Sequence, residues 1–162
     1  MIYRQLLGPE FDKLPAVLRE FHSAPQGGHA SGVARIRHTS SLLAWLVRFP
    51  PEGEMPITLD IDSTSAGEVW IRHFGDAERR SSQTVDDGLL CEVAGPLHLY
   101  FRVTADPTGI RFSLVRARCL SVPIPLRVTA VVSAAPDAND AFNAEVSVAG
   151  VGSYQARMRI RQ

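Results

Sequence analysis

Trp70, Arg72 and Phe74 alternate along one stretch of chain. In an extended strand, that spacing puts all three on one face. A guanidinium between two aromatic rings can stack on them and still present its planar fork to an anionic head group. The competing reading is an outer sheet face whose arginine stem covers aromatic surface. His98, Tyr100 and Arg102 repeat the arrangement later. Beside an apolar cavity such a tyrosine and arginine could hydrogen-bond a carboxylate or phosphate; otherwise they form the solvated side of a strand. Asp60 and Asp62 share a face about 7 Å apart, a spacing that suits an inverting glycosidase pair, but nothing near them supplies a sugar platform. His22, His29, His38, His73 and His98 show no H-x-x-x-H or H-E-x-x-H spacing, so no metal site is expected. Gly28-His29-Ala30-Ser31-Gly32 is not a nucleophile elbow. No catalytic residue is assigned. Cys91 and Cys119 read as small core residues rather than a disulfide or zinc pair.

Period-two alternation runs through most of the chain after Met55. Ile57, Leu59 and Ile61 begin it, Leu97, Leu99, Phe101 and Val103 continue it, and Tyr154, Ala156, Met158 and Ile160 end it. The breaks carry turn chemistry: Asp87-Gly88, Gly95-Pro96, Asp106-Pro107-Thr108-Gly109 and Gly150-Val151-Gly152. Short strands at this spacing form an antiparallel meander, and eight or more of them curl strongly or close.

Helical signals are confined to the first third. Pro15 suits the first turn of a helix whose stripe is Val17, Leu18 and Phe21. Thr39, Ser40 and Ser41 offer caps to a second helix, Leu42–Phe49, which Pro50-Pro51 stops. That helix is apolar almost all round, so it reads as a core plug, a hydrophobic lid or a membrane-touching helix. The plug is preferred, because a membrane helix needs a cationic face and only Arg48 is available. The expected architecture is an α+β fold over residues 1–162 as a single domain: a long, curved, barrel-like antiparallel meander packed on two short N-terminal helices.

Composition agrees with an ordinary globular domain: 162 residues, 45% apolar and 21% charged. Seventeen basic groups balance seventeen acidic ones, which argues against a general nucleic-acid binder. The balance is uneven, net −4 over residues 1–101 and net +4 over 102–162. No run is long and apolar enough for a transmembrane segment, and no leader is recognised, so the cytoplasm is the expected location.

Four groups of residues carry a family resemblance. They are Tyr3-Arg4-Gln5-Leu6-Leu7-Gly8-Pro9-Glu10-Phe11-Asp12-Lys13-Leu14-Pro15 with His22; Trp70-x-Arg72-x-Phe74-Gly75 followed by Ser82; Gly95-Pro96-Leu97 with Gly109-Ile110-Arg111-Phe112 and Pro123-Ile124-Pro125; and Val146-x-Val148, Gly150-x-Gly152 and Tyr154. In this order they resemble the bacterial family known as domain of unknown function 4166. The resemblance implies no activity. Related domains often follow a saccharopine-dehydrogenase-like NAD(P)-binding domain, whose G-x-G-x-x-G is missing here.

The expected function is therefore a non-catalytic binding domain for an apolar or acyl-type small molecule in a cavity between sheet and helix, without cofactor. Trp70, Arg72, Phe74, His98, Tyr100, Arg102 and Trp45 are its expected ligand-binding residues. The alternative, implied by the resemblance, is an accessory interaction module of a neighbouring NAD(P)-dependent oxidoreductase.

Overall fold

The computed structural model describes residues 1–25 and 27–161. The chain opens with helix α1 (Ile2–Leu7), a 3-10 turn (Gly8–Lys13) and helix α2 (Ala16–Ser23). Strand β1 (His29–His38) and the short helix α3 (Ser41–Leu46) follow. The rest is strand: β2 (Gly53–Thr64), β3 (Gly67–Phe74), β4 (Ala77–Asp86), β5 (Leu89–Ala94), β6 (Leu97–Asp106), β7 (Gly109–Cys119), β8 (Val122–Pro123), β9 (Val128–Ala134), β10 (Ala141–Val148) and β11 (Gly152–Ile160).

These strands close. β1 to β7 pair in sequence order, β1 also pairs with β11, and β11, β10, β9 and β7 complete the circuit. The two-residue β8 pairs only with β7, so ten strands make the ring. The fold is a closed antiparallel β-barrel with a few short helices, and the α+β expectation overstates the helical share. The expected curling meander is the barrel itself.

A barrel of about eight strands is just filled by its own side chains or holds one small ligand, and diameter grows with strand number. Ten strands leave room, and the helices fill one end of it. Every neighbouring pair is antiparallel, so one rim collects the start of β1, the ends of β4, β6 and β9, and the start of β10. There α1 packs on β4 and β6, and α2 on β9 and β10. The stripe Val17, Leu18, Phe21 is buried as its spacing requires. Phe21 meets Phe142 at 5.1 Å between ring centroids. Gly28 lets the chain pass: a Cβ there would stand 2.7 Å from the Phe21 ring.

The opposite rim carries two flaps. One is α3 with residues 47–51, capped where the Ser40 hydroxyl accepts from the Leu43 amide. The other is the β7–β8 turn with the segment leading into β9. The expected plug is not inside the barrel. Only Ala44 of α3 is buried, while Leu42, Trp45 and Leu46 face outward. The inward side of this flap is instead the following Val47, Phe49 and Pro50. No helix among the described residues is long and apolar enough to cross a membrane.

Candidate functional site

Between the helical plug and the two flaps the barrel holds a cavity of about 270 Å³ that is partly open to solvent. Its void shows in the side chains around it. Leu97, Leu99, Ala130, Val132, Ala144 and Val146 line the cavity yet are only half-buried, and all but Leu97 also pack against the core. The walls are apolar, with one polar band running across three adjacent strands.

β3 turns Trp70, Arg72 and Phe74 inward, since its register sets Leu59 of β2 opposite Arg72 and Ile61 opposite Trp70. β4 turns Arg79, Ser81 and Gln83 inward, and β5 turns Glu92 and Ala94. The Arg72 guanidinium lies 4.8 Å from the centroid of the Trp70 ring. It donates from Nη1 to Ser81 Oγ at 3.1 Å and from both terminal nitrogens to Glu92 Oε1 at 3.3 Å. Ser81 donates to the same oxygen at 2.6 Å. The three bonds that reach Glu92 all end on Oε1, so the cluster leaves Oε2 unused. Burial works against the charge on Arg72, but Glu92 together with Tyr154 and Tyr3 outweighs it, and the guanidinium holds its proton more tightly than usual.

Arg79 sits directly opposite Arg72 in the register. Two like charges so placed repel, and they diverge. Arg79 turns to the flap, donating from Nε to the Arg48 carbonyl at 2.7 Å and from Nη2 to that of Phe49 at 3.4 Å. Burial and Arg48 lower its pKa. Among the described residues Arg79 has no carboxylate partner. The charged wall thus holds Arg72 and Arg79 against Glu92 alone, with the exposed Arg48 at its edge, so the interior carries an excess of positive charge.

Tyr154 of β11 stands near this band, against Phe74 at 5.4 Å and Phe49 at 6.2 Å between ring centroids. Burial raises its hydroxyl pKa, with Glu92 adding and Arg72 opposing. At the plug end Tyr3 donates to Gln83 Oε1 at 2.9 Å. Its ring lies 4.1 Å from that of His22. His22 is buried, its Nδ1 has no hydrogen-bond partner among the described residues, and burial pushes its pKa down to about 3. It is a neutral imidazole at physiological pH. Beneath Trp70, the indole Nε1 donates to Glu68 Oε2 at 3.1 Å, and burial raises the Glu68 pKa.

Of the residues expected from sequence, Trp70, Arg72 and Phe74 line the cavity. His98, Tyr100 and Arg102 lie on the outside of β6, whose inward residues are Leu97, Leu99 and Phe101. Tyr100 carries the Arg116 guanidinium 3.9 Å from its ring centroid. Arg102 is exposed. Trp45 is on the outer side of α3. Asp60 is also outside, where it contacts His29 Nδ1 at 2.8 Å. The sequence reading passed over Arg79, Ser81, Gln83 and Glu92. The signal available for Arg79, Ser81 and Gln83 was a ten-residue gap in the apolar alternation, bounded by the turns at Gly75-Asp76 and Asp87-Gly88; Glu92 lies beyond it on β5.

The family described as Domain of unknown function (DUF4166) matches residues 14–150. The match spans α2 through β10, including the whole polar band. Tyr3 and Tyr154 lie outside it. No curated protein matches the chain, and no solved structure does.

Proposed function

The chain belongs to the DUF4166 family, and from that premise we propose that its barrel is a non-catalytic binding domain for a small apolar molecule with an anionic end. The observation that carries the reading is a hollow whose wall is apolar except for one cationic band. At ~30 Å³ per water-sized group, 270 Å³ accommodates about nine such groups. That is just below the usual ligand-pocket range of about 300–1,000 Å³. A medium-chain carboxylate fits both size and charge. Its chain lies along Leu99, Ala130, Ala144 and Val146. Its carboxylate meets Arg79, which has only carbonyl partners, and the Tyr154 hydroxyl. Arg72, already engaged by Glu92, fixes the position of the band rather than the ligand's charge.

No step of chemistry is assigned to this site. Arg72 and Glu92 satisfy each other, and His22 is too weak a base at the plug end to take a proton. The alternative reading, an accessory module of an oxidoreductase, rests on the family resemblance alone.

Octanoate tests the proposal. In a Trp45→Phe background Trp70 is the remaining tryptophan, and it lines the cavity. Its emission should change saturably as octanoate is added. Organic extraction of the purified protein, followed by mass spectrometry, should recover a molecule of this class. An empty extract together with an unchanged Trp70 emission would refute the proposal.

A further inference from the structure

We propose that the flap end of the barrel docks on an anionic lipid bilayer. The inference concerns the outside of the barrel and stands apart from what the cavity holds. Three observations carry it.

The first is where the exposed apolar side chains sit. Leu42, Trp45 and Leu46 of α3 are 71%, 74% and 66% exposed, and Leu120 and Val122 of the β7–β8 turn are 76% and 62% exposed. α3 follows the end of β1 and the turn follows the end of β7, so both lie on the same rim of the barrel. An apolar set presented from one end is a contact surface rather than scattered exposure. Tryptophan and leucine are the side chains that an interfacial helix buries at the headgroup boundary.

The second is backbone strain at the same place. Leu120 and Ser121 have φ of 49° and 69°, and Arg48 has φ of 54°. Two consecutive positive φ values make a turn that favours asparagine or glycine. A leucine here is unfavourable for the backbone, and its exposed side chain gains little packing in return. Such an outlier points to a role outside the fold.

The third is charge. The two flaps themselves, residues 39–51 and 118–127, contain Arg48, Arg118 and Arg127 and no acidic residue, while Glu52, Asp76 and Glu78 are exposed beside them on the same rim. All three arginines are exposed. Among the described residues none of them has a carboxylate partner. Apolar tips flanked by unpaired guanidinium groups complement an anionic headgroup layer, in which phosphates accept from the forks while the leucines and the indole enter the acyl boundary.

Co-sedimentation with vesicles decides the matter. The chain should pellet with vesicles of phosphatidylcholine and phosphatidylglycerol at three to one, and at least fivefold less with phosphatidylcholine alone or in ~0.5 M salt, which screens these contacts. Trp45→Ser and Leu120→Asn should each lower the bound fraction about fivefold. Asparagine suits the φ of position 120, so the second variant stays folded and keeps the test decisive. The proposal fails if the double variant binds as well as the parent, or if the parent binds neither vesicle. It also fails if light scattering shows a dimer that Trp45→Ser abolishes, since a second copy would then cover the surface. Octanoate binding to Leu120→Asn should be unchanged from the parent, which separates this result from the cavity reading.

Discussion

Arg72 and Glu92 meet at 3.3 Å across the full width of β4, with the Ser81 hydroxyl joining both. Three strands are thereby tied on the inner wall, and the pair is mostly shielded, with side-chain exposures of 19% and 16%. Breaking such a pair from one side leaves a charge without compensation, whereas removing both ends can be nearly neutral. Glu92→Leu should therefore destabilise the barrel by about 3 kcal/mol. The double variant Arg72→Met, Glu92→Leu should return to within about 1 kcal/mol of the parent. Urea unfolding of the three proteins measures both numbers. Equal losses in the single and double variants would show that the pair is not coupled.

Charge within the cavity makes a prediction about affinity. Arg79→Gln should weaken octanoate binding about tenfold, because it removes the guanidinium that has no carboxylate partner. Glu92→Gln should strengthen it, because the competing carboxylate is gone and a hydrogen-bond acceptor for Arg72 remains. Trp70 fluorescence in the Trp45→Phe background reads both. An unchanged affinity in Arg79→Gln would place the ligand's charge elsewhere.

Ala144 offers a test of the void. It faces the hollow and packs incompletely. Ala144→Leu adds apolar volume into empty space, so it should leave the barrel as stable or raise it by ~1 kcal/mol. The same change should reduce octanoate affinity at least tenfold by occupying the ligand's volume. Thermal melts and titration report the two effects separately. A destabilised variant would mean that the wall at Ala144 is already packed.

Much of this architecture follows from alternation alone. The inward faces of β2, β6, β7, β9, β10 and β11 are apolar, so period two marks them directly. By that same rule His98, Tyr100 and Arg102 belong outside, since Leu97, Leu99 and Phe101 own the inner face of β6. Trp70, Arg72 and Phe74 are different. Both faces of β3 are large, and only its register against Leu59 and Ile61 turns them inward. β4 escapes the hydrophobic pattern because its inner face is Arg79, Ser81 and Gln83. Half of the candidate site thus lies where the signal used to find strands vanishes. α3 shows the converse. A helix apolar on all sides reads as buried, and composition alone does not say whether protein or another phase covers it.

His22 makes the stability of the barrel depend on pH. Burial against Tyr3, Phe21 and Trp70 holds its pKa at about 3, below the 6.5 of an unfolded chain. Below pH 6.5 the unfolded state takes up a proton that the folded state refuses, so stability falls as pH drops from 6.5 towards 3. Each pH unit in that window costs about 1.4 kcal/mol, or roughly 2 kcal/mol by pH 5. Glu68 acts in the opposite sense. Its raised pKa means that the folded state keeps a proton longer, so its contribution is lost as pH rises above the ordinary carboxyl value. His22→Leu removes both the titrating group and the unpaired Nδ1. Its urea midpoint should be less sensitive to acid than the parent's between pH 6.5 and 5. Parallel losses in parent and variant over that range would assign the acid sensitivity to another group.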